Sequence, residues 1–384
     1  MEIKNLKKTA NRIQKAIKKR ENIILYGDAD LDGVTSVIIL KETLKNLGGN
    51  VVSVYFPDRE KEGYGINENA LNFLSQFSPA LLITLDCGIG NFKEVKLAKN
   101  LGFEVIIIDH HEILEKLPEA SIIVDPKQEG DKYPFKGLAT AGITFKLSQL
   151  ILGENLSENL KKGFLELVAL ATIADMMPQE DENKIFIEEG LSFLENSWRP
   201  GLKAFLEMNE IKNYGAIREI AQKIVSVLNV TDSQEDYLVE NYLLLTSASI
   251  KEAKMLAKNL LEKSYQRHER IKEIIKEVKE RVLEKINEPI IFEGDKNWLL
   301  TSTGPVASKI CNLYKKATFI FKIGETQNQG AVRMPQGLDG VKAMISCSKL
   351  LETYGGHPVA AGFRIKNENL EKFKECLINY FSKL

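Results

Sequence analysis

Short runs of apolar, β-prone residues alternate with stretches of helical period through the first half of the chain. NIILYG (22–27), VVSVYF (51–56), LLITLD (81–86), EVIIID (104–109) and SIIVD (121–125) are nearly continuous in hydrophobicity, as strands buried on both faces are. Helix-patterned stretches such as VTSVIILKETLKNLG (34–48) lie between them. The alternation predicts an α/β fold, an open parallel sheet with helices on both sides. Residues 139–195 read as mostly helical and 200–250 as short helices. A long charged helical pattern follows over about 251–286, free of Gly and Pro, and Pro289 closes it. It reads as a connector, polar on most faces. Beyond it the pattern predicts strands at PIIFE, NWLLTS, ATFIFKI and GAVRMP, a helix near 340–353 and another at 368–383. The expected domains are therefore 1–200, a helical linker region 201–287 that contains the connector, and a smaller α/β domain 288–384.

Length and charge narrow the picture. The 384 residues suit two or three domains, and 44% hydrophobic with 27% charged residues is an ordinary globular composition. With 52 Lys+Arg against 53 Asp+Glu, net −1, a wholly basic protein that coats nucleic acid is excluded, and any polyanion site must be local. Residues 288–384 carry 13 basic and 9 acidic side chains, net +4, leaving net −5 for 1–287. This fits a phosphate-holding domain and an acidic, metal-holding one. The first residues, MEIKNLKKTANRIQKAIKKR, are basic and amphipathic but lack the apolar segment of a secretory signal. No apolar run approaches the roughly 18 residues of a spanning helix, so a cytoplasmic protein without membrane association is expected. Cys87, Cys311, Cys347 and Cys376 are widely spaced without a CxxC pair, which supports neither a zinc knuckle nor a disulfide framework. Cys87 reads as a small buried residue, and Trp198 and Trp298 as core rather than base-stacking platforms.

The chemistry concentrates at strand ends. The first run leads into Asp28-Ala-Asp30-Leu-Asp32-Gly33. D-x-D-x-D-G begins like a calcium-binding EF-hand loop, but position 12 is Ile39 and the motif follows a strand, which excludes that reading. Gly88-Ile-Gly90 lacks the third glycine of a dinucleotide fingerprint, and no P-loop is present. Strand 81–86 ends in Asp86-Cys87-Gly88, strand 104–109 in Asp109-His110-His111, and the helical LVALATIAD in Asp175. One strand-end Asp is commonly a helix cap. Three strands delivering acids and two adjacent histidines to one sheet edge point instead to cations, since uncompensated carboxylates repel. Carboxylate and imidazole without thiolate suit Mn2+ or Mg2+, and this many ligands suits two ions placed for attack on phosphorus.

Asp109-His110-His111, with DADLDG, LDCG and the Asp175 motif, resembles the DHH phosphoesterase superfamily. DHHEILEKLPEASIIVDP, LATAGITFKL and LVALATIADMMPQEDENKIFIEEGL are similar to the RecJ-like single-strand-specific exonucleases, and GGHPVAAGF (355–363) to the DHH-associated substrate-binding domain. The resemblance implies a parallel-sheet DHH domain joined by the long connector helix to the smaller domain. It implies that Asp28, Asp30 and Asp32 hold a first ion, that Asp86 bridges two ions, and that His110 and Asp175 complete the second. Asp109 orients a histidine, His111 faces the phosphate and assists the leaving oxygen, and a hydroxide bridging the ions is the nucleophile. In the small domain it implies phosphate contacts from Gly355, Gly356, His357, Arg333 and, more weakly, Ser308 and Lys309. A strand end would enter a cleft between the domains.

Three positions depart from the RecJ-like pattern. Tyr26 stands where His is usual. KIVSVLN (223–229) replaces a segment ending in Gly-Arg, removing an arginine expected to grip the nucleic-acid backbone. The chain ends soon after the diglycine domain, leaving no room for an oligonucleotide-binding barrel, as in archaeal-type relatives. Such relatives take DNA or RNA, and some associate with GINS-type replisome proteins. The leading expectation is a two-metal exonuclease on single-stranded DNA or RNA, acting from the 5′ end. The alternatives are a phosphodiesterase or phosphatase for short oligoribonucleotides, cyclic dinucleotides or nucleotide 3′-phosphates, and a replisome adaptor.

Overall fold

The computed structural model describes residues 2–113, 116–213, 215–230 and 237–383. They fall into two compact units, Met1–Ser264 and Tyr265–Leu384. The first unit begins with α1 (Leu6–Lys19), β1 (Asn22–Gly27), α2 (Leu31–Asn46), β2 (Val51–Tyr55), α3 (Glu68–Leu74), β3 (Ala80–Leu85), α4 (Phe92–Asn100), β4 (Phe103–Ile108) and β5 (Ile122–Val124). Among the described residues these strands form one parallel sheet in the order β2-β1-β3-β4-β5.

The apolar runs form strands because both faces of the sheet are covered, and alternate side chains enter two different cores. Ile23, Leu25, Leu81, Ile83, Leu85, Ile106 and Ile108 pack with α1, α2 and the helices α5 (Thr140–Leu152), α6 (Glu158–Ala174) and α7 (Asp181–Leu194). Ile24, Tyr26, Leu82, Val105 and Ile107 face α3 and α4. The chain winds outward in opposite directions from β1 and β3. At such a switch point the connections diverge and leave a crevice at the carboxyl ends of the strands.

The helices α8 (Pro200–Glu207), α9 (Asn209–Lys212), α10 (Ile217–Leu228) and α11 (Glu240–Thr246) extend the first unit. Leu202, Phe205, Ile224, Leu228 and Leu244 join the core that holds the sheet, so the residues from 201 to 264, expected in a separate linker region, fold with the first unit. α12 (Ile250–Glu284) runs across the unit boundary. Its buried apolar residues form two patches: Ala253, Ala257, Leu260 and Leu261 join the first core, and Ile274, Val278 and Val282 pack in the second unit. That is why the helix reads as polar on most faces.

The second unit contains β6 (Ile290–Asp295), α13 (Leu300–Tyr314), β7 (Ala317–Ile323), β8 (Gln327–Arg333), α14 (Gly340–Ser346), β9 (Thr353–His357), β10 (Ala360–Lys366) and α15 (Leu370–Phe381). Its sheet has the order β6-β7-β8-β10-β9, parallel at β6–β7 and antiparallel elsewhere. One face packs on α12 and α13. On the other, Phe292, Phe319, Phe321, Phe363, Phe373 and Phe381 form a contiguous aromatic cluster.

Three expectations are corrected here. NWLLTS is not a strand: Leu299 is the extended cap of α13, and the buried Val306 and Ile310 downstream carry the helical period that decides the segment. The diglycine itself lies inside β9, where Gly355 pairs with Gly362 and Gly356 with Ala361. Cys347 and Cys376, 29 residues apart, form a disulfide between the end of α14 and α15, with Cα atoms 6.1 Å apart. Trp298 is core as expected, but Trp198 is 47% exposed, with the Arg199 guanidinium over its ring.

α6 and α7 approach so closely that Gly190 has no room for a side chain: an added Cβ would lie 2.2 Å from the Leu165 carbonyl oxygen and 2.6 Å from the Ala169 Cβ. Both neighbours are rigid helix atoms, so Gly190→Val is expected to destabilise the protein by about 3 kcal/mol or more through overpacking. Urea unfolding followed by circular dichroism measures this, and an unchanged midpoint contradicts it.

Candidate metal centre

The switch-point edge collects the carboxylates. Asp28 directly follows β1, Asp86 follows β3, Asp109 follows β4 and Asp125 follows β5. Asp28, Asp32, Asp86, Asp109 and His110 are all at most 1% exposed. Asp30 caps α2 by accepting the Gly33 N–H at 3.1 Å. Gly33 is required there because a Cβ would stand 2.4 Å from the Asp28 carbonyl oxygen. Asp86 sits at φ 64°, a left-handed conformation costing a non-glycine residue about 1–2 kcal/mol. Such strain clusters at functional sites. It turns the chain sharply out of β3, while the Asp86 N–H still bonds the Ile108 carbonyl at 3.0 Å.

Among the described residues four groups of potential ligand atoms result, two of them without His111. Asp28, Asp30 and Asp86 offer oxygens within 4.8 Å of one another, and so do Asp32 and Asp175 with His110. Asp86 connects the groups, its Oδ1 lying 3.2 Å from His110 Nε2. His110 Nε2 is 3.4 Å from Asp175 Oδ2 and 3.8 Å from Asp32 Oδ2. Asp32 thus stands with His110 and Asp175 rather than completing a triad with Asp28 and Asp30. The helical turn that starts at Leu31 carries it away, and the Thr140 and Ala141 N–H groups at the start of α5 hold its two oxygens at 2.8 Å each.

Asp109 is arranged differently. Its Oδ1 accepts from the His110 N–H at 2.8 Å and contacts His111 Nδ1 at 2.7 Å, while its Oδ2 accepts from the Ile89 N–H at 3.1 Å. Its oxygens are thus engaged by backbone N–H groups and by the His111 ring, although Asp109 also forms a group of potential ligand atoms with Asp86 and His111. Burial opposes a charged His111, but Asp109 prevails and raises its pKa to about 9.

Four contributors were not singled out in the sequence, although Thr140 lies within LATAGITFKL and Asp125 within DHHEILEKLPEASIIVDP. Arg59, in the loop after β2, reaches Asp28 and Asp30, with Nε 3.0 Å from Asp28 Oδ1. Tyr64, from the same loop, donates to the Asp86 carbonyl at 3.0 Å, and its hydroxyl lies 3.3 Å from His111 Nδ1. Thr140 donates its hydroxyl to Asp86 Oδ1 at 3.0 Å. Asp125 is fully buried, and burial beside Asp109 pushes its pKa to about 8. Asp-Pro after a strand was the only available signal, and it reads equally as a turn. Tyr26 is not a site residue: its hydroxyl donates to the Gly65 carbonyl at 2.9 Å within the core beneath α3.

The electrostatics fit divalent cations. Burial, then the neighbouring carboxylates, raises the pKa values of Asp32 and Asp86 well above the ordinary carboxylate range. Burial and Asp30 bring Asp175 to about 7. Asp28 is raised by burial despite Arg59, whereas at Asp30 Arg59 and the Gly33 N–H outweigh burial and lower the value. Asp175 Oδ2 is buried without a hydrogen-bond donor. Converging like charges with a spare buried lone pair are stabilised by a hard cation, and carboxylate with one imidazole matches Mn2+ or Mg2+.

In the second unit the expected residues also come together. Arg333 on β8 pairs across to Ala360 on β10, and Ala360 to His357 on β9, so the three side chains line one face in a row. Arg333 Nε donates to Ser308 Oγ on α13 at 2.9 Å. Gly304, one turn earlier, would bring a Cβ within 3.3 Å of Arg333 Nη2. β9 is an edge strand, so alternate backbone groups of the diglycine point away from the sheet. At Gly356, φ is 127° and a Cβ would meet the Ala360 carbonyl oxygen at 2.7 Å, which confines the position to glycine.

The pH dependence follows. A carboxyl group whose folded pKa is raised is protonated more in the folded than in the unfolded chain, so it withdraws stability as pH rises past its unfolded value. His111, raised to about 9, contributes stability that is complete below pH about 6.5 and is lost as pH rises toward 9. Both effects have the same sign. In chelator the melting temperature is expected to fall from pH 6 to pH 8. Mn2+ must displace those protons, so the increase it causes is expected to be larger at pH 8. Scanning fluorimetry with and without Mn2+ checks both, and an Mn2+ effect that is largest at pH 6 contradicts the assignment.

Comparison with known proteins agrees with this geometry. Residues 22–172 match the DHH family, N-terminal domain, and residues 281–383 match the DHHA1 domain. The single-stranded-DNA-specific exonuclease RecJ of Bacillus subtilis (strain 168) is 35% identical over 384 residues, covering 98% of this chain and 48% of that protein. The chain thus spans about half the length of that relative. The crystal structure of an exonuclease RecJ bound to manganese superimposes with a TM-score of 0.79 at 26% identity, covering 100% of this chain and 96% of that one. RecJ from Thermus thermophilus in complex with Mn2+ gives 0.82 at 25% identity, covering 100% and 55%. No described helix is long and apolar enough to cross a membrane. The chain is built from a DHH family N-terminal domain followed by a DHHA1 domain, and its homologues are RecJ single-stranded-DNA-specific exonucleases.

Proposed function

We propose that this protein is a divalent-metal-dependent phosphodiesterase, an exonuclease that removes nucleotides from the 5′ end of single-stranded DNA or RNA. The observation that carries this reading is the placement of Asp86, which belongs to the group with Asp28 and Asp30 and lies 3.2 Å from His110 of the other. In this reading Asp28, Asp30 and Asp86 hold one ion, and Asp86, Asp32, His110 and Asp175 hold the other. Two divalent ions there supply an activated water and neutralise charge that develops on the phosphate.

The remaining steps belong to the chain's own groups. Asp109 fixes His111 so that Nε2 presents a proton, and at neutral pH the raised pKa keeps that proton in place. His111 then donates to a phosphate oxygen or to the leaving oxygen as its charge grows. Tyr64 fixes the Asp86 backbone, and Thr140 orients the Asp86 carboxylate. In the second unit Arg333, His357 and Ser308, with the backbone of Gly355 and Gly356, form a phosphate-binding row. Arginine in a fixed hydrogen-bonded pose suits a phosphate because its planar fork matches two oxygens.

With Mn2+ and substrates labelled at either end, the protein is expected to degrade long single strands stepwise from the 5′ end. Cleavage confined to substrates of two to five nucleotides, or to cyclic dinucleotides, replaces this reading with that of a small-substrate phosphodiesterase. Asp86→Ala is expected to lower kcat by about 10³-fold or more, the scale of losing a metal-activated nucleophile. Asp109→Asn is expected to shift the alkaline limb of the pH–rate profile from near 9 toward the ordinary histidine value of about 6.5. A limb that stays in place removes His111 from its assigned role. Arg333→Ala is expected to raise KM with kcat little changed, and a loss confined to kcat contradicts substrate binding by Arg333.

A further inference from the structure

The basic opening segment has no part in the chemistry above, yet its helix is one-sided in charge. α1 contains Lys7, Lys8, Arg12, Lys15, Lys18 and Lys19 and no acidic residue, in a chain of net charge −1. At about 100° per residue, its five lysines and Asn11 fall within an arc of about 120°. The opposite arc is the core-facing side, where Leu6, Ala10, Ile13 and Ala16 are at most 3% exposed. Arg12 is already neutralised by Glu21 and Glu104. Lys7, Lys8, Lys15, Lys18 and Lys19 are exposed and, among the described residues, have no carboxylate within 4.0 Å. A shallow hollow of about 400 Å³ is lined by Asn11, Gln14, Lys15, Lys18 and Lys19. Lys15 is near enough to Glu104 to help lower its pKa; the lysines on this face still repel one another, and a polyanion relieves that repulsion while releasing counterions.

The path of the helix says which polyanion fits. Asn5 donates to the Ile123 carbonyl of β5 at 2.8 Å, and the Lys4 N–H to Asp131 at 2.6 Å, which anchors the start of α1 near the carboxyl edge that carries the acids. Its other end leads directly into the start of β1. The lysine face therefore descends from the edge of the metal centre to the opposite edge of the sheet, about 21 Å at 1.5 Å per residue. We propose that the exposed lysine face of α1 is a second contact for single-stranded nucleic acid, holding the phosphates of a long strand away from the reacting end. This rests on the functional reading above and extends it to long substrates. It also supplies a backbone contact in a chain that lacks the arginine expected after residue 223. An anionic membrane is a poorer fit, because a surface-lying helix inserts its apolar face and that face is buried here.

Fluorescence anisotropy in chelator, where nothing is cleaved, tests the proposal with labelled oligothymidylates of roughly 40 and roughly five nucleotides. A variant carrying Lys8→Glu, Lys15→Glu, Lys18→Glu and Lys19→Glu, and a second with Gln at the same positions, are compared with the unaltered protein. All four positions are exposed, and circular dichroism confirms the fold. Each phosphate that a lysine no longer neutralises lowers the slope of log K against log salt by about 0.7. The long strand is therefore expected to bind about tenfold or more weakly, with a slope smaller by about 2–3, while binding and Mn2+-dependent cleavage of the five-nucleotide strand stay unchanged. Unchanged binding of the long strand overturns the proposal, and so does equal weakening for both lengths. So does a loss seen only in co-sedimentation with phosphatidylserine vesicles. If no strand is cleaved under any condition, the functional reading fails, while the anisotropy comparison still decides this one.

Discussion

Five aspartates are buried at one sheet edge where water no longer solvates their charge, and the arrangement of the first unit follows from the partners that four of them find. Asp32 takes two backbone N–H groups at the start of α5. Asp109 takes backbone N–H groups and the His111 ring. Asp28 takes Arg59. Asp86, held by one hydroxyl from Thr140, remains the shared corner of both ligand groups. Backbone dipoles and one guanidinium therefore offset part of the repulsion, and the remainder is what divalent cations neutralise. The same edge would be unstable as a purely structural feature, because removing water from unpaired carboxylates costs several kcal/mol each.

The two units divide the chemistry by charge. The first gathers acids where a sheet switch point opens a crevice, and the second aligns Arg333, Ala360 and His357 across β8, β10 and β9. Under the proposed function, cations held by the first unit would accept developing negative charge, and donors of the second would hold a phosphate. The lysines of α1 add a third element, with no ordered geometry of its own. Flexible side chains on a helix face cannot position a reacting bond, but they can hold a strand without regard to its sequence.

Much of this was legible in the chain. The strands β1, β3 and β4 were readable because a parallel strand covered on both faces cannot hide its continuous apolar run. Asp86 and Asp109 stood out because acids at the ends of several such runs at once have few structural reasons to be there; His110 stood out beside Asp109, and Asp175 at the end of a helical run. The misses share a different cause. NWLLTS pairs two leucines with a tryptophan, and only the buried Val306 and Ile310 beyond it tip the segment to helix. β9 was hidden because two glycines weaken any strand signal, and it is the ladder with β10 that makes them extended. The pairing of Cys347 with Cys376 and the exposure of Trp198 depend on how helices pack, which local pattern does not encode.

Local sequence by itself determined most of the strands and helices, that carboxylates and two imidazoles would meet at strand ends, and that the N-terminal helix is basic on one side. Only the tertiary structure decided that Asp32 joins His110 and Asp175 rather than its near neighbours Asp28 and Asp30. It also decided that the second Asp109 oxygen goes to the Ile89 N–H, and that Arg59, Tyr64 and Thr140 enter the site. The reason is the range of the forces involved. Periodicity is written over a few residues, whereas the partner of a buried charge is set by whichever distant loop or helix terminus the fold brings within about 3 Å.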